Sequence, residues 1–303
     1  MAQITLRQLE YFVAVASLGS ISAGAEEVRV SQSAMSSSLA ELERALGVTL
    51  LQRHRRGVTL APGAAELLAR ARTLLEQADD FRSAAQETST GLHGPLRVGC
   101  YTTLAPQMIG SNVRGFLEQH PGIDLSFFEG SDLELVAALE EGRCEVVITY
   151  HYRLEQLPGA QRLAAVPLTA APPRALIPPG HPMLDGDVTL RELAEEPLIL
   201  LDLHPAADYF LDFFRERGLE PEVRFRTSSS QLVANLVAEG LGCALLTQVA
   251  PNSLGASPGG PVVRDLVDDL PALPVVALHP AGVQLSRRAA AFIAQCRRGV
   301  KMK

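Results

Sequence analysis

The sequence predicts an α/β plus all-α protein: a small helical unit, one long helix, and a larger two-lobed α/β domain. Three observations carry this. Apolar residues in the first 60 positions recur at helical spacing in short, separately capped segments. One uninterrupted periodic stretch follows from Pro62 to about Thr88. The remaining residues alternate short apolar runs with amphipathic segments, the order of a parallel sheet with crossover helices. With 303 residues, 47% of them hydrophobic, the chain is long enough for two or three domains, each with a core.

The first segment, "TLRQLEYFVAVASLG", opens with Thr5 three residues before Gln8, a capping box, and closes on Gly19. Leu6, Leu9, Phe12, Val13 and Ala16 share one face. Ser20 caps a second short helix, "ISAGAEEV", and Ser31 a third, "SQSAMSSSLAELERALG". In that third helix Met35, Leu39, Leu42 and Leu46 form the buried stripe, while Gln32, Ser33, Ser36, Ser37 and Ala40 form a smooth polar face. Two helices joined by a tight turn, the second with such a face, describe a helix-turn-helix that reads double-stranded DNA. "VTLLQRHRRGVTLAP" then gives two short apolar runs around a basic turn, a β-wing that makes the unit a winged helix-turn-helix over residues 1–61. Short hydroxyl side chains let a helix lie close to base edges, so base reading is expected from Gln32, Ser33, Ser36 and Ser37, with Arg53, Arg55 and Arg56 on phosphates or in the minor groove.

Residues 62–90 read as a linker helix. Ala64, Leu67, Ala71, Leu74, Ala78, Phe81 and Ala85 repeat at three-four spacing, a heptad seam that wants a partner helix. Leu67, Ala71, Leu74, Ala78 and Phe81 are therefore expected at a homodimer interface. "TSTGLHGP", Thr88 to Pro95, has the composition of a hinge.

Residues 91–303 begin with "LRVGC", "TLAPQMIGSNVRGFLEQHP", "IDLSFFE", "LVAALEEG" and "EVVITY", a strand-helix-strand-helix-strand order that implies a parallel sheet. After a proline-rich stretch the pattern restarts with "PLILLD", "YFLDFFRERG", "EVRFRT", "SSQLVANLVAEG" and "CALLT", and it ends with "LPVVALH" and "SRRAAAFIAQCRR". Two lobes joined by two crossings fit this order. The crossings are expected near Val166 and Val267, giving lobe I as 95–165 plus 268–303 and lobe II as 166–267.

Ligands of open α/β sheets sit beyond the carboxyl ends of the strands. Those ends carry Thr102 and Thr103, Ser131, Tyr150 and His151 in the first lobe, and Asp202, His204, Thr227, Ser228 and Thr247 in the second. Three of the ends open helices, whose free amides and dipole attract negative charge. The expected effector is a small carboxylate held between the lobes, with Tyr150, His151 and His204 reading its other end.

Net charge is −7, so a DNA reader must concentrate its basic groups, as Arg53 to Arg56 does. Cys100, Cys144, Cys243 and Cys296 are far apart, without C-x-x-C or zinc spacing, and read as buried, reduced thiols. No metal or cofactor is expected. The N-terminus lacks a signal-peptide pattern and no apolar run is long enough to cross a bilayer, which predicts a cytoplasmic protein with no membrane contact. G-x-S-x-G, Walker and H-E-x-x-H patterns are absent, and "GLGCAL" follows a helix rather than a strand. An α/β enzyme with an attached DNA-binding domain is thereby disfavoured. A regulator of the same architecture that senses redox state through Cys100 or Cys144 is the other alternative.

"LRQLEYFVAVASLGSIS" and "VRVSQSAMSSSLAELERALGVTLLQRHRRGVTLAPGA", with the heptad helix behind them, closely resemble LysR-type transcriptional regulators. "LRVGCYTTLAP", "LVAEGLGCALL" and the order of elements resemble that family's effector-binding domain, whose fold is two-lobed and periplasmic-binding-protein-like. The chain departs from many relatives in carrying Ser37 and Ala40 where they have basic residues. The resemblance implies a DNA-binding regulator assembled as a homodimer or a tetramer made of two dimers, with RNA polymerase as a further partner. Closure of the lobes on ligand would change the spacing of the DNA readers.

Overall fold

The computed structural model describes residues 4–54, 57–204, 206–247 and 259–301. The N-terminal unit is built on α1 (Leu6–Leu18), α2 (Ile21–Glu27) and α3 (Gln32–Leu46). Each helix start is fixed by a hydroxyl: Thr5 accepts from Gln8 N, Ser20 from Ala23 N and Ser31 from Ala34 N. Met35, Leu39 and Leu42 of α3 are buried against Phe12, Val15 and Ala25. Gly24 lies where these helices meet. A Cβ there would come within 2.9 Å of Val15 Cγ2 and 3.4 Å of Met35 Sδ, so the close approach needs glycine. The strands β1 (Leu51–His54) and β2 (Gly57–Leu60) pair antiparallel as the wing. Two contacts pin it: Glu43 Oε1 accepts from Leu50 N and Leu51 N, and Val58 N donates to the Gly19 carbonyl at 2.8 Å.

The long helix α4 (Ala64–Thr90) corrects part of the seam expectation. Ala64, Leu68 and Ala71 are buried in the N-terminal core, and Leu67 and Leu75 pack against it. Leu67 and Ala71 therefore face their own chain. Periodicity identifies residues that share a helix face; it carries no information on whether the covering surface is in the same chain. Farther along, Leu74 is 49% exposed, Phe81 78% exposed and Ala78 half-buried. The side chain of Ala85 lies outside the described residues. The expected hinge is also shorter than its composition suggests, because α4 runs to Thr90 and the next strand begins at His93.

The first lobe contains β3 (His93–Tyr101), α5 (Ala105–Gln119), β4 (Gly122–Gly130), α6 (Asp132–Glu140), β5 (Val146–Tyr150) and β6 (Leu163–Ala171). The second contains β7 (Pro173–Ile177), α7 (Leu190–Glu195), β8 (Leu198–Leu201), α8 (Ala206–Glu216), β9 (Val223–Thr227), α9 (Ser230–Ala238), β10 (Ala244–Thr247) and β11 (Val262–Arg264). The chain returns with β12 (Leu273–Pro280) and α10 (Arg287–Lys301). In the first sheet the order is β4-β3-β5-β12-β6. β3 runs parallel to β4 and β5, while β12 is antiparallel to β5 and β6. In the second lobe β10 and β11 flank β7 antiparallel, β8 and β9 pair parallel, and a bridge from Leu198 to Cys243 joins the two groups. Both sheets are thus mixed rather than all-parallel. In the first lobe only the returning strand β12 reverses, and in the second it is β7; β6 runs in the same direction as β3, β4 and β5.

That stretch also moves the first crossing. Leu163–Ala171 pairs along its length with β12, so the chain changes lobes between Ala171 and Pro173, after Val166 rather than at it. Its prolines read as loop, yet Pro167 lies in a strand at the sheet edge and Pro173 is the first residue of β7, two places where a missing N–H is tolerated. The return crosses between Arg264 and Leu273. α10 then packs on the first lobe, where Phe292 meets Phe116 edge-on at 5.1 Å.

Candidate functional site

Two surfaces carry exposed or convergent polar groups. On α3, Gln32, Ser33 and Ser37 are exposed and Ser36 is half-buried; Ser33 and Ser37 lie opposite the stripe of Met35, Leu39 and Leu42, and Gln32 and Ser36 flank it. Ser33 Oγ lies 3.1 Å from the capping Ser31 Oγ, so its hydroxyl is partly oriented by the helix start. Arg53 is exposed on β1. Arg55 and Arg56 lie outside the described residues. Arg29, which no sequence pattern marks, stands exposed in the turn between α2 and α3 with φ +55°.

The second surface lies where the lobes meet. In the first sheet Tyr101 is paired with Gly130, and Cys100 with Ile148, so the ends of β3, β4 and β5 lie side by side. The helix starts that follow them are not equivalent. α5 begins at Leu104 with no side-chain cap. α6 is closed by its own acid: Ser131 N and Oγ both donate to Glu134 Oε2, which also holds Glu134 below the ordinary carboxylate range. α9 is capped by Ser229 Oγ, which accepts from Leu232 N, while Ser229 N donates to Thr227 Oγ1. Of the three helix starts expected to attract an anion, the one after β3 is left without a side-chain partner.

Several expected ligand contacts instead join the lobes to each other. Tyr150 is 3% exposed; its hydroxyl lies 2.8 Å from Thr247 Oγ1 and 3.4 Å from Thr103 Oγ1. Thr102 is exposed and donates to the Gly130 carbonyl at 3.3 Å. His151, Asp202, His204 and Ser228 are exposed, and Asp202 Oδ2 lies 3.8 Å from Arg226 Nη1. Residues absent from the sequence-level expectation complete the junction. The Tyr101 hydroxyl donates to the His204 carbonyl at 2.7 Å, and Gln107 Nε2 donates to the Thr103 carbonyl at 2.9 Å and the Thr247 carbonyl at 3.4 Å.

Asp132 is the least expected member. It is 1% exposed. Thr149 Oγ1 donates to its Oδ1, but Oδ2 has no hydrogen-bond partner. The nearest basic atom is His204 Nδ1 of the other lobe, at 4.0 Å. Burial pushes the Asp132 carboxyl up to about 6, against the opposing pull of the Thr149 hydroxyl and of His204. Sequence offers little warning, because an acid in the first turn of a helix is ordinarily a solvated dipole partner.

The model described as the LysR substrate binding domain matches residues 89–301, and that described as a bacterial regulatory helix-turn-helix protein of the lysR family matches residues 6–65. The chain belongs to the LysR family of transcriptional regulators. It is similar to a probable hydrogen peroxide-inducible genes activator of Mycobacterium avium, with 34% identity over 252 residues, 82% of this chain and 79% of the relative. Among solved structures it resembles the LysR family regulator HinK of Pseudomonas aeruginosa, with 30% identity, 99% and 100% of the two chains covered and a TM-score of 0.65. It also resembles a full-length OxyR variant of the same organism, with 26% identity, 98% and 96% covered and a TM-score of 0.80.

The thiols of this LysR-family regulator are all buried. Burial raises Cys100 strongly, with Cys296 adding to the effect, and pushes Cys243 and Cys296 up to about 12. Cys100 sits within the first-lobe core, while the adjacent Tyr101 reaches the junction. Among the described residues no helix is long and apolar enough to cross a membrane, and no cluster of His, Cys, Asp and Glu is arranged to hold a metal.

Proposed function

We propose that this LysR-type regulator reads double-stranded DNA with Gln32, Ser33, Ser36 and Ser37, anchors on phosphates through Arg53, Arg55 and Arg56, and is controlled by a small anionic effector between its lobes. The carrying observation is the uncapped start of α5 beside the Thr103 hydroxyl at the lobe junction. Leu104 N and Gln107 N are taken by the Tyr101 and Leu104 carbonyls and Pro106 has no N–H, so a carboxylate there would be drawn by the Ala105 amide and by the dipole of this fifteen-residue helix. The effector contacts are assigned to Thr102, Thr103 and Ser228, with His151 and His204 on the rim; Ser131, Tyr150, Asp202, Thr227 and Thr247 shape the site through the bonds described above. Thermal shift and calorimetry against a panel of small carboxylates, amines and neutral metabolites test this. Stabilisation by carboxylates is expected; stabilisation by neutral compounds alone overturns it.

Exposed Leu74 and Phe81, with Ala78 beside them, support a homodimer through the outer half of α4, and two dimers packed through their α/β lobes would give the tetramer. RNA polymerase is the further partner where such an assembly activates a promoter. A cytoplasmic location follows from the DNA partner. Reversing the charge of Arg53, Arg55 and Arg56 should weaken gel-shift binding on every sequence and flatten its salt dependence by about one per lost phosphate contact. Unchanged affinity at low salt would remove the wing from the interface.

Thiol sensing is a second reading, favoured by the relative named as a hydrogen peroxide-inducible activator. The thiolate is the reactive species, and burial holds Cys100, Cys243 and Cys296 in the thiol form. Brief peroxide treatment followed by mass analysis of the folded protein should leave these three unmodified. Rapid oxidation of any one, with altered DNA binding, would favour the redox reading over the ligand.

A further inference from the structure

A buried carboxylate oxygen without a partner is costly, and a chain that keeps one usually gives it something to bind. Asp132 Oδ2 is such an atom. It faces across the junction to His204 Nδ1, and the 4.0 Å between them is too long for a direct hydrogen bond. A donor placed about 2.8 Å from each would close that gap. A protonated amine has three N–H bonds and suits it: one reaches the carboxylate and another reaches His204 Nδ1 when that nitrogen is the ring's acceptor.

Position strengthens the case. Asp132 opens α6, which follows β4; the uncapped α5 follows β3. These strands are paired neighbours, with Tyr101 opposite Gly130. The residues that end these strands, Tyr101 and Gly130, are therefore about one strand spacing, roughly 5 Å, apart, and both helix starts follow from there. A simple carboxylate on α5 would lie beside the like charge of Asp132. A ligand that carries both an amine and a carboxylate places opposite charges on both sites.

We propose that the inter-lobe cleft selects an amino-acid-like zwitterion, its carboxylate at the start of α5 and its protonated amine on Asp132. Asp132 is then the specificity-determining residue of the effector site, and this rests on the reading of the cleft as an effector site. Because Tyr101 also bonds His204 across the junction, an amine bridging Asp132 and His204 adds a second tie between the lobes and favours the closed form.

The test uses the full-length protein and three matched probe sets: the common L-amino acids, the 2-oxo acids with the same side chains, and the corresponding decarboxylated amines. Binding is read by thermal shift and calorimetry for the wild type and Asp132→Asn. At least one amino acid should stabilise the wild type, and its 2-oxo acid should bind about tenfold or more weakly. In Asp132→Asn that preference should vanish, with the unliganded melting temperature unchanged or higher. Binding of 2-oxo acids in preference to amino acids overturns the amine assignment and leaves the anionic-effector reading standing. Binding of amines alone supports Asp132 and overturns the anionic end. No binding by any set overturns both. Retention of the amine preference by Asp132→Asn, or a marked fall in its unliganded melting temperature, assigns Asp132 a purely structural role and overturns the proposal.

Discussion

The proposed DNA-reading face and the proposed effector site between the lobes use polar side chains in opposite ways. On α3 the polar groups of the outer face are displayed: Gln32, Ser33 and Ser37 are exposed, while the hydrophobic stripe and the Glu43 carboxylate tie the helix to the rest of its unit. In the cleft much of the polar inventory is already spent. Tyr150 is bonded to Thr247, Tyr101 to the His204 carbonyl, and Ser131 to Glu134. A rigid reader can leave its groups free because duplex DNA arrives as a preformed, regular partner. If the two lobes close on a small molecule, as proposed, they need their own contacts to hold them near the closed geometry, and only the few groups left over can report on the ligand. In the cleft, therefore, the unsatisfied atoms are more informative than the polar residues as a class.

The largest effects should come from α4, which belongs to both regimes. Ala71→Asp places a charge in the N-terminal core, where Ala71 is 2% exposed, and should cost about 3 kcal/mol or more of that unit's stability, seen as early melting by circular dichroism. Leu74→Asp, three residues on, alters an exposed position. It should leave that melt nearly unchanged while turning dimers into monomers in sedimentation. Dimers that persist in Leu74→Asp would move the interface off the outer half of the helix.

Asp132 sharpens the contrast from the cleft side. Its folded pKa is raised from 3.8 to about 6, so the folded state binds its proton more tightly than the unfolded chain does. Stability contributed by this group therefore falls as pH rises from 4 to 6, and the loss of about 3 kcal/mol is complete above that window. Asn is neutral in both states and still accepts from Thr149. Asp132→Asn should melt higher than wild type above pH 6, with the difference shrinking towards zero near pH 4. The groups facing Asp132 are Tyr101, Thr149, Tyr150 and His204. An Asp132→Asn, His204→Gln pair isolates the share of His204. Equal stability of wild type and Asp132→Asn across the range would mean that Oδ2 is solvated in the unliganded protein.

On the reader, Gln32→Ala should lower affinity for the preferred operator by about 1–3 kcal/mol if the amide reads a base bidentately, while leaving affinity for unrelated DNA unchanged. Equal losses on both would make Gln32 a phosphate contact. Here the sequence was most legible. The spacing of Met35, Leu39 and Leu42 fixes the buried side of α3, and what remains must face outward. The cleft was legible only as far as topology reaches. Strand-end rules bring residues 102–103, 131, 150–151 and 202–204 to one place, but they do not say that Tyr150 would be spent on Thr247 or that Asp132, one position past the marked Ser131, would be the atom left wanting. Those outcomes depend on which groups two distant segments bring together, 97 residues apart for Tyr150 and Thr247. The same limit applies to α4, whose regular spacing is shared between a surface inside the chain and one outside it.

The smallest expected effect tests whether the spent groups matter to ligand response at all. Tyr150→Phe removes one hydroxyl that lies 2.8 Å from Thr247 and 3.4 Å from Thr103 while keeping the ring, which meets Tyr101 edge-on at 5.4 Å. The loss should be about 1 kcal/mol in global stability, since Thr247 Oγ1 is left without this partner. Its effect on binding separates two pictures. If the hydroxyl holds the lobes near their closed form, the variant must close at the ligand's cost, and affinity should fall by a similar factor with the amine-to-oxo-acid preference intact. If Tyr150 touches the ligand directly, the preference itself should change. An unaltered preference with weaker binding would confirm that in this cleft the polar residues that hold the lobes and those that choose the effector are different residues.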